Sequence, residues 1–303
     1  SLPMEATNLG LLYNKDQFRE VGLDPDHPPE TWQELIDYTN RLKVDENGDG
    51  RYERIGFLVP VSPASGPLGP WMMWQFMPFV WQAGGNMINL DQTQVLFAQE
   101  PGVEALTLWK NLYQSQNLRD FTTTDAITVF ASKQASMILD GPWNLPRYPE
   151  VMRGTDWGVA PLPAGPAGHA TIVGGEYLSI FKQSEHPDAA WTFVKWITSP
   201  EIQAFWSMKS NYLPIRKDVL QIPEYRQYLD ENPNLKAFVE EMDYARAQRH
   251  IDFYTLEITR EVAQAIEQST VGTRTPEAAL KDAAAASNQM LARAQREQPV
   301  ASK

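Results

Sequence analysis

Residues 130–144 read F-A-S-K-Q-A-S-M-I-L-D-G-P-W-N, and they constrain the fold more than any other stretch of the chain. Ser136 to Leu139 is a small and apolar run suited to a buried strand. Asp140-Gly141-Pro142 is turn chemistry, and Pro142, with its fixed φ and no amide proton, stands where a helix can begin. Trp143 therefore sits at the mouth of a strand. In open α/β sheets ligands gather beyond the carboxyl ends of strands, where a flat indole can serve as a platform. A lone Trp is also a common packing residue, and on these residues alone both readings stand.

Strands alternate with helices along the chain, which implies an α/β architecture. Residues 14–22 read as a short helix ended by Gly22. Thr31 followed by Glu34 is a capping box that opens a helix to about Lys43. Asp45 to Gly50 is a turn, Ile55 to Val59 a strand, and the Pro- and Gly-rich segment 60–70 a loop. Met72 to Ala83 is an apolar helix stopped by Gly84-Gly85, Pro101 opens another to about Gln116, and Thr124 caps one to Ser132. Trp157 to Ala160 and Tyr177 to Phe181 read as strands, and Pro187 and Pro200 begin helices to Thr198 and Met208. After Leu213-Pro214 the chain reads as helical almost to its end, with Thr275-Pro276 capping a last Ala-rich helix.

Composition narrows the chemistry. At 303 residues the chain exceeds the size at which one core usually stops growing, so one large or two smaller lobes are expected. A net charge of −12 speaks against nucleic acid, whose phosphates require clustered Lys and Arg. There are no cysteines, which excludes disulfides, zinc–thiolate sites and cysteine nucleophiles. No apolar run reaches the roughly 18 residues that span a bilayer, so this segment is not expected to insert in a membrane. Asp45, Asn47 and Asp49 have the oxygen spacing of half a calcium loop, but Gly56 stands where the twelfth-position carboxylate belongs, and a polar turn is the competing reading. The four histidines form no ligand cluster and read as surface residues. No G-x-S-x-G elbow, Walker loop or strand-linked G-x-G-x-x-G is present.

The turn at 130–144 does not stand alone. Leu12-Tyr13-Asn14-Lys15-Asp16-Gln17-Phe18 with Val21-Gly22-Leu23, Pro29-Glu30-Thr31-Trp32-Gln33-Glu34-Leu35, Gly174-Gly175 before Tyr177, Leu213-Pro214-Ile215-Arg216 and Thr275-Pro276-Glu277-Ala278-Ala279-Leu280 follow in order. Together they resemble the extracellular solute-binding proteins of carbohydrate ABC importers, the maltose-binding-protein superfamily, over nearly the whole chain. The resemblance implies a class II periplasmic-binding-protein fold of two lobes with hinge crossings. On it, residues 1–13 are hinge and a remnant of the amino-terminal lobe, 14–161 and 215–303 the carboxy-terminal lobe, and 162–214 an inserted return to the amino-terminal lobe. Relatives carry the first strands of that lobe and a leader before the Y-N-K-D helix, so this chain is expected to start at the first hinge crossing, as a fragment or as a form without that lobe.

The implied function is capture of a sugar between the lobes and delivery to membrane permease subunits, without a cofactor, by a monomer in the periplasm or anchored as a cell-surface lipoprotein. A glycerol-3-phosphate-type binding protein is the nearest alternative. A glycoside-processing enzyme, with Asp140 and Glu176 as its carboxylates, is a more distant one. Sugar recognition needs aromatic faces over pyranose C–H patches and planar polar groups for hydroxyls. Trp143, Trp74 and Trp71 are the candidate platforms, the last two in the position where family members place a stacking aromatic. Two Trp three apart on a helix also commonly divide between site and core. Gly175 and Glu176 would supply close backbone approach and an acceptor, against an ordinary loop leading into a strand. Arg246 and Arg249 would offer guanidinium forks for diols or phosphate, against a solvated pair on a surface helix. Glu5, Thr7 and Asn8 sit at the presumed hinge.

Overall fold

The computed structural model describes residues 1–61, 69–116, 125–249 and 255–297. Its strands are β1 (Leu2–Pro3), β2 (Gly10–Asn14), β3 (Ile55–Phe57), β4 (Ala135–Asp140), β5 (Trp157–Ala160), β6 (Thr171–Val173), β7 (Tyr177–Leu178) and β8 (Ala245–Ala247). The helices are α1 (Lys15–Glu20), α2 (Trp32–Leu42), α3 (Gly69–Gln82), α4 (Glu100–Gln114), α5 (Ala126–Ala131), α6 (Tyr148–Val151), α7 (Pro187–Ile197), α8 (Pro200–Ser210), α9 (Pro223–Glu231), α10 (Pro233–Glu241), α11 (Thr255–Thr270) and α12 (Pro276–Glu297). The expected α/β architecture holds.

The central sheet has the order β3-β4-β2-β5. β2 runs antiparallel to both β4 and β5, and β3 runs parallel to β4. The carboxyl ends of β3, β4 and β5 therefore share one edge with the start of β2, where Gly10 pairs with Asp140. β2 and β4 are buried along their whole length. Leu11, Tyr13, Met137 and Leu139 face one core and Leu12 and Ile138 the other, so helices cover both faces and the strands read as unbroken apolar runs. On the first face α3 packs against α4 and α11, with Phe76 and Phe79 edge-on to Trp109 at 5.1 and 5.4 Å between ring centroids. An apolar helix of this kind is stable only when enclosed on most sides.

The helix starts obey their local chemistry. Thr31 and Glu34 form the full reciprocal capping box. Proline occupies the first turn of α7, α8, α9 and α10, where no amide partner is lost. Thr124 lies outside the described residues, and the cap of α5 is Asp125, whose carboxylate accepts from the Thr128 amide. Three other expectations are corrected. Pro142 opens a 3-10 turn, Pro142–Asn144, because Asp140 ties the next residues back toward the strand. The strand expected over Tyr177 to Phe181 is confined to Tyr177–Leu178, paired with β1, and Phe181 is 81% exposed. The region after Pro214 is not continuously helical: β8 interrupts it, running parallel to β6 with Ile172 opposite Arg246.

Three stretches link the central body to β1, β7 and the end of α8, bound side by side through backbone hydrogen bonds. The Thr7 amide donates to the Gly174 carbonyl at 2.9 Å and the Gly174 amide returns to Thr7 at 2.8 Å. Ala6 and Leu213 exchange a like pair at 2.9 and 2.7 Å, and the Met4 amide reaches the Glu176 carbonyl at 2.8 Å. No helix among the described residues is long and apolar enough to cross a membrane.

Candidate functional site

The site is built outward from Asp140, the last residue of β4 on the shared edge. Its buried carboxylate accepts from the Gly141 amide at 2.8 Å, from Asn144 Nδ2 at 2.9 Å, and from the Tyr148 hydroxyl. Burial raises the Asp140 pKa, against lowering by those three donors, and raises that of Tyr148 further. This carboxylate is engaged within its own turn, which removes it from the role of a hydrolytic acid. Gly141 then permits what no other residue would: a Cβ there would lie 1.9 Å from the Trp143 ring. The indole folds back over the glycine and is held at the strand mouth.

The three predicted tryptophans meet there. Trp71 and Trp74, one turn apart on α3, stack with centroids 5.1 Å apart and planes at 16°. Trp143 closes the group, edge-on to Trp71 at 5.6 Å and tilted to Trp74 at 6.0 Å. Trp71 remains 42% exposed, and Trp74 and Trp143 are half-buried. Their geometry is that of a packed aromatic cluster with an open side.

The strand crossings border this cluster. A Cβ on Gly174 would lie 3.2 Å from both the Trp74 ring and the Thr7 methyl. Gly175 has φ +151°, and a Cβ on it would lie 2.1 Å from the Glu5 carbonyl, so glycine is required at that crossing. Glu176 is exposed. Beside it the buried Glu5 carboxylate accepts from Trp206 Nε1. Burial first, then the Glu176 contact and charge, push Glu5 up to about 7, against lowering by Trp206. Of the other hinge residues, Thr7 is buried, and Asn8 is fully buried with its Nδ2 donating to the Phe238 carbonyl at 2.8 Å. Asn8 ties the hinge to α10.

Arg246 and Arg249 do not join the aromatic cluster directly. They line a separate cavity of about 270 Å³ with Met77, Trp81, Asn86 and Ile88. Trp81 lies seven residues after Trp74 on α3, about 10 Å along the axis. Arg246 sits on β8, and Arg249 follows that strand and donates to the Ile88 carbonyl at 2.7 Å. Neither stands on a surface helix. Sequence reasoning missed the Asp140–Asn144–Tyr148 anchor and the Trp206–Glu5 bond. The first had a signal in the spacing of Asn and Tyr after D-G-P-W, and the second had none.

Asp45 accepts from the amides of Gly48 and Gly50 at 2.7 and 2.8 Å, and those bonds lower its pKa, the Gly50 one most. Asn47 accepts from the Asp49 amide at 2.9 Å, so the first two of these side chains serve the turn itself. Among the described residues no group of three or more His, Asp or Glu is placed to hold a metal. His27, His169 and His186 are exposed, and His250 lies outside the described residues.

A mixed sheet covered on both faces, three adjoining strand crossings and an aromatic cluster beside them define a two-sided ligand-binding fold. The family described as bacterial extracellular solute-binding protein matches residues 2–204, and the chain belongs to it. It is 25% identical to the sn-glycerol-3-phosphate-binding periplasmic protein UgpB of Shigella flexneri over 97% of this chain and 67% of that protein. It superposes with TM-score 0.82 on the cyclic alpha-maltosyl-1,6-maltose binding protein of Arthrobacter globiformis, at 30% identity over 95% of this chain and 71% of the other. UgpB of Mycobacterium tuberculosis, solved in complex with glycerophosphocholine, shares the fold with TM-score 0.78 at 20% identity over 97% and 71% of the two chains. The chain is the substrate-binding kind of protein that serves ABC importers, periplasmic or extracellular, and not an enzyme.

Proposed function

We propose that this protein captures a sugar or oligosaccharide on the Trp71, Trp74 and Trp143 cluster and presents it to the permease subunits of an ABC importer. The observation that carries this reading is the convergence of three indoles beside Gly174. Indole faces cover the C–H patches of a pyranose, and the adjoining Gly175 backbone and Glu176 carboxylate supply hydrogen-bonding groups for its hydroxyls. Ligand contact with both sides of the crossings would favour a closed form that the permease distinguishes from the open one. The cavity with Arg246 and Arg249 favours a second reading, a phosphorylated polyol whose anionic group docks on the guanidinium forks.

For the lobes, we place the division at the three crossings. Residues 1–5 and the later part of the 162–214 insert then belong with a second lobe, and β2, the rest of 14–161 and 215–303 with the first. Leu162, Ala170 and Ile172 lie in the core of the central sheet, which supports assigning the start of that insert to the first lobe. Phe181, Trp191, Phe193, Trp196 and Phe205 are exposed on the other side, which supports a face completed by the rest of that lobe. We place the mature protein as a monomer, in the periplasm or tethered by lipid. Intrinsic tryptophan fluorescence, titrated with mono-, di- and trisaccharides and glycerol 3-phosphate, tests the function. A saturable response with ligand recovered intact supports capture, while cleaved sugar would return the glycosidase alternative.

A further inference from the structure

The cavity lined by Arg246 and Arg249 combines an apolar floor with donors that nothing occupies. Met77, Met87 and Ile88 are buried and make the floor. The polar part of the lining is the Trp81 indole, 5% exposed, the half-buried Asn86 and the exposed Arg246. Among the described residues the Trp81 N–H, the Asn86 side-chain amide and the Arg246 guanidinium have no hydrogen-bond or ionic partner. An N–H on a side chain as buried as Trp81 is costly to leave unpaired, and three such groups around one cavity point to a ligand that supplies oxygens. Arg249 is committed elsewhere, since it donates to the Ile88 carbonyl at 2.7 Å and ties the wall together. Trp74, Met77 and Trp81 fall at i, i+3 and i+7 on α3 and share one face of that helix, so the cavity continues the surface that carries the tryptophan cluster. β6 packs against α3, and beside it β8 brings Arg246 opposite Ile172, two residues before the Gly174 that borders Trp74.

We propose that this cavity is a second sugar subsite, and that the solute is an oligosaccharide with one ring on the tryptophan cluster and a further ring in the cavity. Trp81 and Arg246 donate to hydroxyl and ring oxygens there, Asn86 both donates and accepts, and the floor of Met77, Met87 and Ile88 meets the C–H face of the ring. The span from Trp74 to Trp81 along α3, about 10 Å, is longer than one pyranose, so the cavity selects for length. An apolar floor with an amide and a single uncommitted guanidinium suits a neutral ring better than an anion. This inference rests on the function proposed above and adds Trp81 and Asn86 to the residues that hold the solute.

Nuclear magnetic resonance of the indole N–H groups reads the two subsites separately, with Trp81 and Trp143 assigned by loss of their signals in Trp81→Phe and Trp143→Phe. The probes are the mono-, di- and trisaccharides of glucose and of mannose, and glycerol 3-phosphate. A trisaccharide should move both resonances at saturation, whereas its monosaccharide should move that of Trp143 alone. Affinity from the same titrations should rise about tenfold or more from monosaccharide to trisaccharide in the better series. Asn86→Ala and Arg246→Ala, which remove side chains without partners, should keep the fold and cut that gain about fivefold or more. Trp81→Phe, which keeps the floor and removes the N–H, should cut it about threefold. A trisaccharide that saturates Trp143 and leaves Trp81 unmoved, or a gain with length that is indifferent to both alanine variants, overturns the second subsite while the tryptophan cluster keeps its solute. A Trp81 response to glycerol 3-phosphate and to no saccharide would make the cavity an anion site and overturn it as well. If no saccharide moves either resonance, the function proposed above fails and this inference fails with it.

Discussion

Asp140 and Gly141 together place Trp143, and each can be tested alone. The Asp140 carboxylate satisfies three donors at the end of a buried strand. Asp140→Ala leaves the Tyr148 hydroxyl and Gly141 amide buried without a partner, an expected loss of about 2–4 kcal/mol in urea denaturation. Gly141→Ala acts differently, because its Cβ would occupy the space of the indole. That variant should stay folded within about 2 kcal/mol of wild type and bind solute about tenfold more weakly, measured by fluorescence titration, as the ring is displaced. Trp143 was legible from D-G-P-W because a turn after a buried strand needs these residue types. Its neighbours Trp71 and Trp74 were legible only as candidates: their meeting with residue 143 depends on a tertiary contact that no local pattern encodes.

Among the elements, α10 ends in a buried acid. Glu241 is 2% exposed and accepts only the Leu162 amide, at 3.2 Å, among bonds described for it. Burial raises its pKa from 4.5 to about 8 against that one donor. The folded chain therefore holds a proton that the unfolded chain releases near its ordinary pKa. The stability linked to that proton is full below about 4.5 and is lost as pH rises to about 8. Glu241→Gln should flatten the decline in Tm across that window and raise stability at pH 8 by roughly 2–4 kcal/mol. An unchanged pH profile would show that Glu241 is solvated. At the start of α2, Thr31→Ala should cost about 1 kcal/mol by removing the hydroxyl half of the capping box. That cap was plain in the sequence, since its partners are three residues apart. β8 was not: Ala245–Ala247 carries no strand pattern, and it is extended because β6 offers it a parallel edge. Arg246 and Arg249 lie on or just after a strand for the same reason.

At the scale of the whole molecule, one body built on β3-β4-β2-β5 adjoins a smaller part that shows aromatic surface to water. Phe193 and Trp196, on α7, lie 5.8 Å apart and are about half exposed. Replacing both by Glu should reduce binding of an apolar fluorescent dye to this chain while leaving the thermal transition of the central body in place, which dye titration and calorimetric scanning would show. The boundary of the smaller part was expected at 161/162, yet Leu162, Ala170 and Ile172 pack in the central core and the chain pairs with the first crossing only from Gly174 onward, because burial of those side chains is a tertiary matter. The order of strands was not legible either, because register depends on pairings between segments more than 100 residues apart.

In the function proposed here the tryptophan cluster captures the solute. Calorimetric titration with maltose, a trisaccharide and glycerol 3-phosphate, repeated on Trp143→Ala and on Trp74→Ala, tests it most directly. Saturable binding of at least one of these ligands by the wild type, weakened about tenfold or more in each variant, is the predicted result. Binding that survives both substitutions at full affinity would place the solute elsewhere and contradict it.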